Sequence, residues 1–206
     1  MNQLIDGYHR FRSNSWPAQR KAFEELAKRG QSPNHMVLAC IDSRVDPAMI
    51  FDTGPGELLT VRNVANLVPP YEPDAAYHGT SSAVEFGVQV LQVRHLIVLG
   101  HGLCGGIKAL LDGTTGAPLE FTERWMSIAE PARKRALEQP DPEKRERCCE
   151  HDVVKVSLAN LRTFPWVAER VAVGTLELHG AWFDVRTGLL MMLDPDGTFV
   201  PVIQPF

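Results

Sequence analysis

One run of residues decides the interpretation of this chain, Met36-Val37-Leu38-Ala39-Cys40-Ile41-Asp42-Ser43-Arg44. Its apolar half is typical of a buried strand, so Cys40 and Asp42, two positions apart, should point the same way at the end of that strand. A second apolar run, His95-Leu96-Ile97-Val98-Leu99-Gly100, ends in His101-Gly102-Leu103-Cys104-Gly105-Gly106. If the two strands are neighbours in a parallel sheet, their carboxyl ends open onto one crevice, where open α/β sheets place their sites.

The two strand ends carry residues that bind metals. Cys40, His101 and Cys104 should converge there, with Asp42 beside them. Two thiolates, one imidazole and one carboxylate or solvent oxygen make a tetrahedral zinc site, and three firm ligands with an exchangeable fourth are typical of a catalytic one. Gly105 begins the next helix, whose N-terminal dipole favours thiolate at Cys104.

Arg44 adds a feature that a purely structural zinc site does not need. A guanidinium cannot ligate a metal, but it can pair bidentately with Asp42 and hold that carboxylate away from the ion. The pair favours a catalytic site, although a closed zinc site without chemistry remains the alternative.

These motifs are shared with a known family. The run Cys40-Ile41-Asp42-Ser43-Arg44 together with His101-Gly102-Leu103-Cys104-Gly105-Gly106 resembles the signature pair of the β-class carbonic anhydrases, zinc enzymes that interconvert carbon dioxide and bicarbonate. The resemblance covers the chain from about Gly30 to Leu111 and includes Gly30-Gln31-Ser32-Pro33, Gly54-Pro55-Gly56-Glu57 and Val61-Arg62-Asn63-Val64-Ala65-Asn66.

The resemblance implies roles for individual residues. Cys40, His101 and Cys104 would be the ligands of one Zn²⁺ ion per chain, with Asp42 as an alternative fourth ligand and Arg44 as its partner. The implied reaction is the zinc-dependent, reversible hydration of carbon dioxide to bicarbonate and a proton. In it, Asp42 would accept a hydrogen bond from the attacking hydroxide and so aim an oxygen lone pair at the substrate.

Further residues are expected to contact the substrate. In plant-like members of the family, a glutamine nine positions before the first zinc cysteine donates a hydrogen bond to substrate across the dimer interface, and Gln31 has that spacing. Leu59, Val64 and Phe86 are candidate walls of an apolar carbon dioxide pocket, with an ordinary core role as the alternative. Gly105 is the remaining substrate-binding candidate.

Val37 bears on regulation. Some bacterial members carry a tryptophan three residues before the first zinc cysteine, where it helps form a non-catalytic bicarbonate pocket that breaks the aspartate–arginine pair. Val37 occupies that position and lacks both the flat surface and the indole N–H. We therefore expect Asp42 to stay paired with Arg44, and we expect activity to fall gradually in acid without cooperative inhibition by bicarbonate.

The chain organisation predicts a single domain over residues 1–206. It comprises a helical arm over 1–30, the zinc-site core over 31–111, and helices with C-terminal strands over 112–206. We predict an α/β fold with a mostly parallel central sheet, an antiparallel C-terminal edge strand and flanking helices. The amphipathic arm packs either on its own domain or on another subunit; the resemblance favours the second, as a homodimer or dimer of dimers.

Composition excludes several classes of partner. The net charge of -4 provides no basic field for nucleic acid, and no apolar run approaches the roughly 20 residues of a membrane span. Four cysteines are too few and too awkwardly spaced for a disulfide framework. The N-terminus lacks the pattern of a signal peptide. These features together predict a cytoplasmic protein.

Two other motifs carry residues that could bind metals, and two other functions are compatible with the zinc-binding motifs. Cys148-Cys149-Glu150-His151 is not assigned as a second metal site, because two ligands on one helix face do not close a tetrahedron, and His179 is interpreted as structural. A hydrolase of carbon disulfide or carbonyl sulfide would share the zinc chemistry and differ only in its pocket. A zinc-stabilised module without enzymatic activity is the second alternative.

Overall fold

The computed structural model describes residues 1–113 and 119–202. Residues 114–118 and 203–206, which belong to the predicted C-terminal part of the domain, lie outside the described residues.

Six strands form one sheet in the order β2-β1-β3-β4-β5-β6. They are β1 (His35–Cys40), β2 (Leu58–Asn63), β3 (His95–His101), β4 (Glu177–Phe183), β5 (Leu190–Leu193) and β6 (Phe199–Pro201). The first four strands in that order run parallel, and β5 and β6 pair antiparallel. The predicted α/β fold is confirmed. β6 extends the antiparallel edge by a strand that was not predicted, because three residues are too few to show an alternating pattern.

Helices surround this sheet. They are α1 (Asn2–Arg10), α2 (Trp16–Arg29), α3 (Pro47–Ile50), α4 (Gly79–Glu85), α5 (Gly105–Asp112), α6 (Glu120–Met126), α7 (Glu130–Ala136), α8 (Pro142–Leu161) and α9 (Pro165–Ala172). Asp141 caps α8 as its sequence suggests, because its carboxylate accepts from the backbone amides of Glu143 and Lys144. None of the helices in the described ranges has the length and apolar character needed to cross a membrane.

β1 is buried on both faces, which explains its nearly continuous apolar sequence. Met36 and Leu38 point into the larger core beneath α8 and α9, whereas Val37 joins a smaller cluster on the opposite face. Cys40 and Cys104 lie in a third cluster at the carboxyl end of the sheet. The parallel pairing of β1 with β3 thus brings both signature motifs to one edge.

The predicted N-terminal arm consists of α1, a π-helical turn at Phe11–Ser15, and α2. No residue of the arm is buried within the described part of the chain, and the apolar side chains of Leu4 and Ile5 are exposed. Its C-terminal end approaches Gly56, where a Cβ would lie 2.6 Å from Leu26 Cδ2. Gly56 also has a φ of 83°, so only glycine fits this contact without strain.

Candidate metal centre

Arg62 fixes the loop that follows β1. Its Nε donates to the carbonyl of Cys40 at 2.9 Å, and its Nη2 donates to the carbonyl of Asp42 at 2.6 Å. Its Nη1 lies 3.1 Å from Asp46 Oδ2, and Asp46 Oδ1 accepts from the amide of Ala48 to cap α3. Arg62 therefore sets the direction of the two signature side chains. It was not among the residues predicted for the site, although a charged residue directly after the apolar Leu58, Leu59 and Val61 was the available signal.

Cys40, His101 and Cys104 converge as expected. Their ligand atoms all lie within 4.8 Å of one another, and the two Sγ atoms are 4.0 Å apart. The three residues are 4%, 0% and 1% exposed. Two buried thiols and a buried imidazole at this separation match the ligand types of a tetrahedral zinc site.

The hydrogen bonding of His101 selects the tautomer that binds a metal. Its Nδ1 lies 2.9 Å from the carbonyl of Gly102, so this nitrogen donates its hydrogen there. Its Nε2 is buried and has no hydrogen-bond partner within the described residues. A buried nitrogen without a partner is costly in a folded protein, and a metal ligand with its other ring nitrogen bonded to a carbonyl has this arrangement. His101 therefore fits zinc.

The two thiols also favour a cation between them. Their mutual hydrogen bond lowers the pKa of Cys40 and raises the pKa of Cys104, because a second buried thiolate would face the charge of the first. The backbone amides of Gly106 and Ile107 act in the opposite direction on Cys104, as predicted for the start of a helix. A divalent cation removes the repulsion and binds both groups as thiolates.

Asp42 and Arg44 form the expected ion pair beside this group. Arg44 Nε lies 2.9 Å from Asp42 Oδ1, and Arg44 Nη2 lies 2.7 Å from Oδ2. The hydrogen bonds from Arg44 hold the pKa of Asp42 well below its usual range. Both carboxylate oxygens are thus engaged by Arg44, and Asp42 does not belong to the group of three metal-binding side chains.

Glu150 hydrogen-bonds to the backbone of a proposed metal ligand, a contact that the sequence did not predict. It is 3% exposed on α8, where Oε1 accepts from the amide of Cys104 at 3.3 Å and Oε2 from Trp182 Nε1 at 3.2 Å. Burial raises the pKa of this carboxyl to about 7. Its neighbours Cys148 and His151 do not join it in any metal-binding group of the described residues. Glu150 therefore stabilises the position of Cys104, and the sequence motif around it does not form a second metal centre.

The predicted substrate residues divide into two sets. Val64 packs against the cluster that contains both cysteines, and Gly105 begins α5 directly after Cys104. Leu59 instead pairs with Met36 in the sheet and packs in the larger core. Four residues of strand, about 13 Å, separate that level of β1 from its end.

Phe86 and Gln31 both lie on the exposed surface of the chain. Phe86 begins a π-helical turn after α4 and is 49% exposed. Gln31 is exposed and precedes β1, whereas Cys40 ends that strand. The register of β1 with β2 thus places Leu59 away from the cysteines of its own chain, whereas Val64 packs near them, and a pocket shared by Leu59, Val64 and Phe86 stays a prediction.

Comparison with known proteins agrees with this geometry. A profile of the carbonic anhydrase family matches residues 35–190. β-Carbonic anhydrase 3 of Arabidopsis thaliana is 36% identical over 207 residues, which cover 98% of this chain and 80% of the relative. The structure of the β-carbonic anhydrase CcaA matches with a TM-score of 0.91 and 31% identity, covering 99% of this chain and 92% of that one.

A second solved structure comes from a pair of tetrameric β-carbonic anhydrases of the ascomycete Sordaria macrospora. It matches with a TM-score of 0.82 and 25% identity, covering 97% of this chain and 98% of that one. The matches extend over nearly the whole described fold and include both strands that carry the buried thiols and imidazole. The chain therefore belongs to the β-carbonic anhydrases, a family that uses zinc to catalyse the reversible hydration of carbon dioxide.

Proposed function

We propose that Cys40, His101 and Cys104 hold the catalytic zinc of this carbonic anhydrase and that Asp42 and Arg44 orient the attacking oxygen. The observation that carries the proposal is the buried group of two thiols and one unpaired imidazole nitrogen within 4.8 Å of one another. It stands at the carboxyl ends of two neighbouring parallel strands, where sites of α/β sheets form.

The remaining residues act on the reactants. Zinc, when bound, supplies a Lewis acid that ionises a water molecule near neutral pH. Asp42 is held ionised by Arg44 and accepts a hydrogen bond from the attacking oxygen, which aims a lone pair at carbon dioxide. Val64 offers the substrate an apolar contact near the cysteines. Gly105 leaves room there, since among the described residues outside its own turn of helix no atom lies within 4 Å of a Cβ placed on it.

Gln31 and Phe86 serve the site of a second subunit in this proposal, whereas Leu59 packs in the larger core of its own subunit. The whole of β1, six residues long, lies between Gln31 and the metal centre, and a strand rises about 3.3 Å per residue. Gln31 therefore lies too far from Cys40 to contact a substrate at its own metal centre. The exposure of Phe86 and Gln31 leaves both side chains available to a partner.

A homodimer, or a dimer of dimers, is supported by two exposed apolar surfaces. One is the N-terminal arm, which buries none of its residues within the described chain. The other is a groove of about 570 Å³ on the face of the sheet opposite the larger core, whose apolar lining includes Val37, Phe51, Leu58, Ile97 and Met192. A dimer of dimers would match the tetrameric state of the Sordaria macrospora relatives.

A reducing compartment such as the cytoplasm suits the cysteines. All four are free thiols, and two of them are the proposed zinc ligands. Zinc binding requires these thiols to be reduced.

Stopped-flow measurement of carbon dioxide hydration tests the proposal, with zinc content determined on the same preparation. We expect about one zinc per chain and rapid hydration, with little hydrolysis of carbon disulfide or carbonyl sulfide. Faster turnover of either sulfur compound would assign the site to the alternative hydrolase. A zinc-loaded protein without hydration activity would instead identify a structural module.

A further inference from the structure

A second group of metal-binding side chains lies at the opposite end of the sheet. His95 and Glu177 are the first residues of β3 and β4 and pair directly in the sheet. His179 pairs with Ile97, so it points to the same face as both, since alternate residues of a strand share a face. The strand pairing therefore places two imidazoles and one carboxylate side by side.

Their separations fit a bound ion. His95 Nδ1 lies 3.1 Å from His179 Nε2, and Glu177 Oε2 lies 3.8 Å from the first nitrogen and 3.7 Å from the second. In a tetrahedral zinc site with bonds near 2.0–2.1 Å, neighbouring ligand atoms are about 3.3 Å apart. Small side-chain rotations would bring all three distances to that value.

The surroundings of His179 favour its neutral imidazole. His35 stacks on His95 with ring centroids 5.1 Å apart. Burial, and the neighbouring rings of His95 and His35, lower the pKa of His179 despite the opposing charge of Glu177. Neutral imidazole is the metal-binding form, so the lowered pKa of His179 reduces competition between a proton and a metal ion at this ring.

We propose that His95, His179 and Glu177 form a second site for a divalent transition metal, with zinc as the reference ion. Two imidazoles and one carboxylate are a known zinc ligand set, and solvent can complete the coordination. In the bound form His95 binds the ion through Nδ1 and carries its hydrogen on Nε2, whereas His179 binds through Nε2 and carries its hydrogen on Nδ1. Glu177 binds through Oε2. The ion replaces the present hydrogen bond between the two histidines.

The second site is independent of the catalytic centre. His95 and His101 stand at opposite ends of β3, about 20 Å apart at the rise of a strand. An ion at the second site would link the start of β3 to the start of β4. Its ligand His95 is 82 positions from Glu177 and 84 positions from His179 in the sequence. The ion would therefore stabilise the folded state, by an amount that rises with the logarithm of its concentration once that exceeds the dissociation constant, without contacting substrate.

Calorimetric titration of the zinc-loaded holoenzyme with zinc chloride tests the proposal. We expect a second equivalent to bind the wild type and to raise its melting temperature. His179→Gln and Glu177→Gln should each weaken this binding at least about tenfold, the lower end of what loss of even an outer-shell partner costs a metal site. Both variants should keep the first zinc and the hydration activity.

His78→Gln is the matched control. His78 also contacts a carboxylate, with Nε2 2.7 Å from Asp74 Oδ1, but it belongs to no group of three ligands among the described residues. This variant should bind the second equivalent normally. The proposal is overturned if the wild type binds no second equivalent, if that equivalent persists in both ligand variants, or if it weakens only in variants that also lose the first zinc.

Discussion

Arg44 and Asp42 face each other in a bidentate ion pair, with Nε 2.9 Å from Oδ1 and Nη2 2.7 Å from Oδ2. The same Nη2 donates to the carbonyl of Leu103 at 3.0 Å, between the two proposed ligands on the second strand end. One guanidinium thus orients the carboxylate and ties together the loops that follow β1 and β3. Planar, two-pronged bonding of this kind is specific to arginine.

Replacing Arg44 should therefore impair catalysis more than folding. In Arg44→Lys a single ammonium cannot hold both oxygens of Asp42, which becomes free to turn toward the zinc. We expect hydration activity to fall by about 10–100-fold, the usual cost of losing a group that orients a metal site. Stopped-flow kinetics with a parallel zinc determination measure this change. Arg145→Lys serves as the control, because the side chain of Arg145 donates to the carbonyls of Gln139 and Pro140, away from the metal centre. Unchanged kinetics in Arg44→Lys would contradict the role of the pair.

The wild type should respond to acid through one group and show no cooperative inhibition by bicarbonate. Val37 lies in the small cluster on the face of β1 opposite Cys40 and has no polar hydrogen for an anion. The pKa of Asp42 lies well below its usual range, so this carboxylate stays ionised and paired throughout the neutral and mildly acidic range. Rates measured against bicarbonate concentration at pH 7 and pH 8 should follow simple saturation. A sigmoidal dependence would show that the pair is a switch.

His151 should make the protein less stable in acid. Burial lowers its pKa to about 4, with Lys155 and Arg147 acting in the same direction. In the unfolded chain a histidine titrates near about 6.5. Between these values the unfolded state binds a proton that the folded state does not, so stability falls as the pH falls from about 6.5 to about 4. Above that window this residue contributes no pH dependence.

Urea unfolding at pH 7.5 and pH 5.0 measures this effect. His151 packs between Trp182 and Phe199, so His151→Phe keeps a ring among rings and removes the titrating group. We expect the variant to lose less stability than the wild type between the two pH values. Glu150, whose pKa is raised to about 7, acts with the opposite sign but is present in both proteins, so it largely cancels in the comparison. Equal losses would show that His151 is not buried in its neutral form.

Sequence predicted the metal centre because its chemistry is local to two strand ends. Cys40 and Asp42 lie two residues apart, as do Asp42 and Arg44, and the parallel pairing of β1 with β3 needed only one assumption about neighbouring strands. Apolar runs indicated which residues form these strands. The family resemblance covered the same stretches, so both lines of argument led to one site.

The residues that sequence analysis missed make their contacts with residues far away in the chain. Glu150 reaches the amide of Cys104 across 46 positions, and His179 reaches His95 across 84. The register of β1 with β2, which places Leu59 opposite Met36, is likewise not visible in the sequence. Such positions depend on which elements pack together, a property of the whole fold.

Complementation between two inactive variants tests whether Gln31 acts across subunits. A Gln31→Ala dimer should have zinc but lack the amide in both sites, whereas a Cys104→Ala dimer should lack zinc in both. In a hybrid, the site on the Gln31→Ala subunit receives an intact Gln31 from its partner. Co-expressed variants should therefore be more active than either alone, and light scattering should show a dimer or a dimer of dimers. An active monomer, or a hybrid that is no more active than its parents, would refute this arrangement.

Zinc content and hydration rate measured together on Cys104→Ala test the central claim most directly. Cys104 is 1% exposed and 4.0 Å from Cys40, whereas Cys148 lies on α8 outside the metal-binding group. We expect Cys104→Ala to lose both its catalytic zinc and its activity, and Cys148→Ala, which also removes one thiol, to keep both. Full zinc occupancy and normal hydration in Cys104→Ala would contradict the account.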